Sequence, residues 1–260
     1  MTGLQFALGG ASGLLVGFIL GLVGGGGSVL AVPLMLYLVG VRDPHQAIGT
    51  SALAVAVNAL AGLASHARAG TVNWRCGAIF ATAGVLGALA GSTLGKAVDG
   101  QKLLVLFALL MLVIAGLMLR GRGTAGIEGA GCNRGNLHKV LGYGLGAGAF
   151  SGFFGIGGGF LIVPGLMAAT QMPILNAIGT SLIAVSAFGL TTALNYAMSG
   201  YVLWPLAGVF VAGGFVGTMA GTRAAQAIDG RSGGLAVVFA GFVALVAIYS
   251  LVRSLAVLIG

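Results

Sequence analysis

The chain has 260 residues, of which 58% are hydrophobic and only 6% charged, with a mean hydropathy of +1.09. That excludes an ordinary soluble domain, in which about a quarter of residues are charged. The formal net charge of +8 is spread singly or in small groups between apolar runs, as membrane orientation signals are, and does not form the stripe that binds nucleic acid.

Apolar runs continue without polar-in, apolar-out alternation, so the spanning elements are helices and not barrel strands. Hydropathy places a first group of segments at 4–22, 28–40, 46–66, 72–97 and 101–119. A second group follows at 138–154, 159–171, 174–197, 201–227 and 232–258. The N-terminus has no basic region or polar cleavage stretch and reads as a retained first helix. Residues 120–139 read RGRGTAGIEGAGCNRGNLHK, polar and glycine-rich. The expected organisation is a first membrane repeat at 1–119, a cytoplasmic linker at 120–137 and a second repeat at 138–260. Cys76 and Cys132 lack CxxC spacing and neighbouring histidines, and are read as ordinary small residues.

The halves repeat. Gly21 to Pro33, GLVGGGGSVLAVP, returns as Gly152 to Pro164, GFFGIGGGFLIVP, at an offset of 131. At an offset of 130, AIGTS at Ala47 to Ser51 recurs as Ala177 to Ser181. Gly70, Trp74, Gly84, Gly91, Asp99 and Gly100 reappear as Gly200, Trp204, Gly214, Gly221, Asp229 and Gly230. An internal duplication of this kind is the pattern of secondary transporters. Residues 4–40 as one straight helix would be about 55 Å long, against a hydrocarbon core of about 30 Å. The glycine run must therefore turn the chain back, which gives each half odd parity and makes the repeats inverted. Charges agree weakly: with the linker inside, eight basic residues fall inside and four outside, against seven and five for parallel halves.

The expected architecture is therefore an all-α polytopic membrane protein. It has two halves of about five helical segments, arranged as an inverted repeat, each with a glycine-rich break near the membrane midplane. Two short-helix N-termini facing each other across one cavity would present free N–H groups and the positive dipole end to an anion. The candidate substrate-binding residues are Gly25, Gly26, Gly27 and Ser28 in the first run and Gly157, Gly158 and Gly159 in the second. Thr50, Ser51, Thr180 and Ser181 of the AIGTS repeats, with Asn58 and Asn195 deeper in the same helices, complete the set. Gly84, Gly87, Gly91 and Gly95, and Gly213, Gly217 and Gly221, read as packing faces. His66, near a helix end, is a candidate to contact substrate or a proton.

No carboxylate occupies a predicted membrane centre, since Asp43, Asp99, Glu128 and Asp229 all fall in loops. This argues against a cation site built on acids and suits an anionic substrate. GSTLGKA at 91–97 departs from a P-loop in spacing and lacks the hydroxyl after Lys96. GASG at 10–13 offers Ser12, with His66 as base, for an intramembrane serine hydrolase, but Ser12 takes no part in the duplication. No catalytic residue, metal or cofactor is expected. The expected partners are a small anion and the lipid bilayer, with no nucleic acid; the sequence leaves room for coupling to a proton or ion and for a homo-oligomer.

The doubled motif, each copy followed by AIGTS, then Gly-x-x-x-Trp and an alanine- and glycine-rich helix, resembles the TauE/SafE sulfite exporter family, also called the toluene sulfonate uptake permease (TSUP) family. The likeness covers essentially the whole chain. It implies a polytopic inner-membrane transporter of small, mostly sulfur-containing anions such as sulfite, thiosulfate, sulfoacetate or other organosulfonates, in either direction. Ser28 departs from Gly159 of the second half, which biases one face of the site. A passive anion channel lined by the same termini is the alternative.

Overall fold

The computed structural model describes residues 3–120, 126–127, 129–155, 159–228, 244, 247–249 and 251–252. Among these residues every regular element is helical. The helices are α1 (Gly3–Val23), α2 (Ala31–Pro33), α3 (Pro44–Arg68), α4 (Trp74–Ala97), α5 (Gly100–Arg120), α6 (Leu137–Phe154), α7 (Gly159–Thr170), α8 (Ile174–Ala197) and α9 (Trp204–Ile228). Five of them, α1, α3, α4, α8 and α9, are long and apolar enough to cross a membrane. The tenth segment expected from hydropathy, 232–258, lies largely outside the described residues.

Chain ends of the helices follow local chemistry. Asp43 accepts the His45 N–H ahead of Pro44 and Asn73 accepts the Cys76 N–H, so α3 and α4 begin at side-chain caps,. Gly70 and Gly200, at φ of 71° and 77°, close the turns after α3 and α8 at equivalent positions.

Packing is dominated by backbone approach. A Cβ on Gly13, Gly17 or Gly21 of α1 would overlap the backbone oxygens of Phe210, Gly214 or Thr218 on α9. Gly217 and Gly221 return the contact onto Leu14 and Phe18. The same seam recurs between α4 and α6, where Gly84, Gly87, Gly91 and Gly95 lie on the backbone of α6 and Gly144, Gly148 and Gly152 lie on that of α4. These contacts advance together in residue number, so α1 runs parallel to α9 and α4 parallel to α6. Glycine gives this intimacy because lipid supplies no hydrophobic drive between helices, leaving close packing to hold them.

The centre is the α3–α8 pair. Gly49 abuts Tyr196 and Tyr201, Gly189 abuts Ala52 and Ala56, and Gly62 meets Leu182. Numbers rise on one helix as they fall on the other, so the pair is antiparallel. Major contacts exchange with the halves: α1 on α9 matches α6 on α4, and α4 on α8 matches α9 on α3. Exposed apolar side chains such as Leu86, Leu94, Leu194 and Val216 face outward, as lipid contact requires. Trp74 and Trp204, also exposed, open α4 and α9 at opposite ends of the bundle, where amphipathic rings suit the headgroup level.

One expectation is overturned. Cys76 and Cys132 are not independent small residues but a disulfide, with Cα atoms 5.3 Å apart across a sequence separation of 56. Spacing could not reveal it, because the linker folds back onto the start of α4. Gly131 sits against Asn73 and Cys76, while Ile127 donates to the Gln171 carbonyl at 2.8 Å in the α7–α8 loop. The linker thus touches both halves at one end of the bundle. That end also carries Arg68, Arg75, Arg134 and Lys139, and is called the linker end below.

Candidate functional site

Each glycine run begins with one residue in the left-handed region, Gly24 at φ 72° and Gly155 at φ 67°. Only glycine adopts this cheaply, and it turns the chain back. At the first turn, a Cβ on Gly27 would overlap the Leu20 N–H and Ile19 carbonyl regions of α1, so 24–38 doubles back along its own helix. The expected reversal is therefore present. The following segment starts earlier than expected, as a 3₁₀ turn at Gly24–Leu30, then α2, then a π turn at Leu34–Leu38. Pro33, without an N–H, interrupts the regular ladder there. Gly24 to Gly26 thus supply the N–H groups that open the returning segment, and Ser28 sits further in, fully buried, with its carbonyl accepting from Ala31. In the second run, Gly157 and Gly158 lie outside the described residues; Gly159 opens α7 as expected.

Each turn is seated on the AIGTS segment of the other half. A Cβ at Gly24 would lie 3.0 Å from the Ser181 hydroxyl oxygen and 3.1 Å from the Ile178 carbonyl, and one at Gly155 would overlap the Ile48 side chain. Ile178 and Ile48 stand near the starts of antiparallel helices. The two turns therefore lie toward opposite ends of the α3–α8 pair, roughly 25 Å apart at 1.5 Å per residue. This corrects the picture of two termini facing each other across one midplane cavity. α1 and α6, of 21 and 18 residues, use most of a bilayer thickness before they turn. What meets near the centre is the returning segments, 24–30 against α7.

The hydroxyls divide into two kinds. Thr50 Oγ1 accepts the Leu203 N–H at 2.9 Å and Thr180 Oγ1 accepts the Asn73 N–H at 2.9 Å. Both cap the first turn of a helix in, or leading into, the other half. Ser51 and Ser181 donate back to the Ile48 and Ile178 carbonyls at 3.1 and 2.7 Å, the bonding back to its own helix that is common for a helical serine.

The two asparagines separate. Asn195 accepts from Lys96 Nζ at 2.7 Å and donates to Ser92 and Thr93 at 2.6 and 3.2 Å. It stands roughly 21 Å along α8 from Ser181, at the end of the pair that carries the Gly155 turn, where Tyr196 abuts Gly49 and Ile48 meets Gly155. Asn58 is buried at mid-helix with neither amide atom partnered among the described residues, against Gly214. Ser12 and His66 make no hydrogen bond to each other, and each is a buried group without one at Oγ and Nε2. Ser12 lies roughly 13 Å down α1 from the turn of helix beside His66, too far for a nucleophile and its base. Sequence reasoning missed position 196: Tyr196, fully buried, has an unpartnered hydroxyl and lies within aromatic distance of His45 and Tyr201. Its 130-residue offset from His66 was the available signal.

The family described as sulfite exporter TauE/SafE matches residues 9–250. The chain belongs to the TauE/SafE family. Two proteins of Xylella fastidiosa, strains Temecula1 and 9a5c, each named probable membrane transporter protein, are 52% and 53% identical to it over 95% of both chains. The probable membrane transporter protein YdhB of Bacillus subtilis is 30% identical over 80% of this chain and 83% of its own. No solved structure matches. This TauE/SafE chain is accordingly a multi-pass membrane transporter, and the relatives' names point to transport and not to an enzyme.

Proposed function

We propose that the protein is an inner-membrane secondary carrier of small sulfur-containing anions, among them sulfite, thiosulfate, sulfoacetate and other organosulfonates, working by alternating access. The family description supports the substrate class. The observation that carries the route is the seating of each glycine turn on the AIGTS segment of the opposite half. The anion moves along the α3–α8 seam between the turns. In this reading it meets the N–H groups of Gly24 to Gly26 at the linker end and that of Gly159, which opens α7, toward the other. Ser51 and Ser181, with hydroxyls that already donate to their own helices, orient the approach; Thr50 and Thr180 hold the helices of the two halves in register.

The halves form an inverted repeat in this reading. The antiparallel α3–α8 pair and the parallel α1–α9 and α4–α6 seams support it, because inversion reverses each helix relative to its counterpart. Rocking of one half on the other then opens one turn at a time to each side. The linker end, carrying Arg68, Arg75, Arg134 and Lys139, is cytoplasmic by the positive-inside bias.

The test is uptake into proteoliposomes of a panel of sulfite, thiosulfate and sulfonates, with sulfate, chloride and an amine as comparators. Saturable uptake and counterflow of at least one sulfur anion is expected. Flux that rises linearly with concentration and shows no counterflow would mark a passive channel instead.

A further inference from the structure

Beside the first glycine turn lies a titratable side chain that the route above does not use. His66 is fully buried in the last turn of α3. Its Nδ1 is 2.9 Å from Thr71 Oγ1, and Thr71 Oγ1 donates its single proton to the His66 carbonyl at 3.1 Å. Thr71 therefore engages the Nδ1 side of the ring, and Nε2 is the nitrogen turned toward the first glycine turn. Nε2 has no hydrogen-bond partner among the described residues, although the Gly21 backbone lies against the ring.

Among the described residues the surroundings lack a counter-charge. The elements packed on α3 are α1, 24–38, α5, α8 and α9. α1 has no titratable group, 24–38 has Tyr37, α5 has Lys102 and Arg120, α8 has Tyr196 and α9 has Arg223. None is an acid. Tyr196 stands at the opposite end of the pair and Arg223 is exposed. A charged imidazole here would be a buried cation with no anionic partner among the described residues, which costs several kcal/mol,.

Resting on the transport reading, we propose that His66 is the carrier's proton-binding site: a proton taken up at Nε2 is donated to the Gly21 carbonyl, and the resulting imidazolium charge is balanced by the anion at the adjacent glycine turn. One proton and one negative charge are thus bound together and released together, with no other group changing. Because each favours the other, the linkage is reciprocal. The arrangement is one-sided. The equivalent position in the second half is Tyr196, beside the opposite turn, and a phenol does not gain a proton near neutral pH. The proton therefore enters from the linker end only.

Two measurements test this. In the first, the ring nitrogens of the three histidines are followed by ¹⁵N NMR from pH 5 to 8, and His66 is assigned by its loss in His66→Gln. Protonation of Nε2, shifted to higher pH by added sulfite or sulfonate, is expected; a ring that stays neutral across the range with anion present overturns the proposal whether or not transport is detected. In the second, anion uptake is measured in proteoliposomes with a lumenal pH dye. Parent protein should move protons with the anion, its apparent affinity falling about tenfold per pH unit on the alkaline limb. His66→Gln should bind the anion as weakly at acid pH as the parent does on its alkaline limb, and the exchange it shows should lack both the proton movement and the slope. Proton movement by His66→Gln equal to the parent's overturns the proposal. A titrating, anion-responsive His66 in a protein that carries no sulfur anion would uphold the proton site and count against the substrate reading.

Discussion

The glycine seams make a prediction whose sign differs along one helix. On α9, a Cβ at Gly217 would overlap the Leu14 carbonyl and come within 2.7 Å of the Phe18 N–H, whereas one at Gly208 would meet nothing within 4 Å. Replacing a helical glycine by alanine gains about 0.5–1 kcal/mol from reduced backbone freedom. At Gly208 nothing opposes this gain. At Gly217 the methyl must push α1 from α9, and overpacking of that kind costs roughly 1–3 kcal/mol, so the net change is destabilising by about 1–2 kcal/mol. At roughly 2–4 °C per kcal/mol for a chain of this size, Gly208→Ala should raise the melting temperature slightly and Gly217→Ala should lower it by several degrees. Gly87→Ala, at the matching place on the other seam against the Leu145 carbonyl, should behave like Gly217→Ala, and the two should add. Thermal unfolding in detergent, followed by intrinsic fluorescence, reads all four variants. Equal melting temperatures for Gly217→Ala and Gly208→Ala would refute the packing argument.

Other outcomes follow from single contacts. Thr50→Val and Thr180→Val each strip the acceptor from a loop N–H of the other half and should each cost roughly 1–3 kcal/mol, while Thr→Ser at either position should retain most of the stability. Asn195→Ala should lower stability by releasing Lys96 and Ser92 yet leave substrate KM unchanged, which transport kinetics on folded variant would check. Cys76 and Cys132 should resist maleimide until the purified protein is reduced, and Cys76→Ser should leave Cys132 freely labelled; labelling of both without reductant would contradict the disulfide.

Much of the architecture was legible because lipid makes strong demands on sequence. Long apolar runs set the helices to within a few residues, and the paired glycine runs, each ending in a proline, announced two reversals. The packing faces could be read from glycine spacing, since little else lets backbones in lipid approach so closely. What could not be read depends on pairings between distant parts of the chain. The Cys76–Cys132 bond needs the linker to fold onto α4, and no local spacing records that. The bonds of Thr50 and Thr180 could not be read because the loops they cap come from the other half, and the separation of the two turns along α3 and α8 depends on how those helices pair. Asn58 and Asn195 look alike in sequence, yet one is unpartnered and the other is bound up with a lysine. His66 is readable in sequence as a candidate to contact substrate or a proton; its contact with Thr71, five residues away, and its place beside Gly21 are tertiary facts that sequence alone does not record.

The central claim is that a sulfur-containing anion crosses between the two glycine turns. Its most direct test is counterflow of labelled sulfite or sulfonate in proteoliposomes containing the parent, Gly26→Leu or Gly158→Leu, each first shown to be monodisperse and reconstituted to the same density. Saturable exchange by the parent, cut about tenfold or more in both variants, as the loss of roughly 1.4 kcal/mol of binding would give, is the predicted result. Exchange at the parental rate by both leucine variants would contradict it.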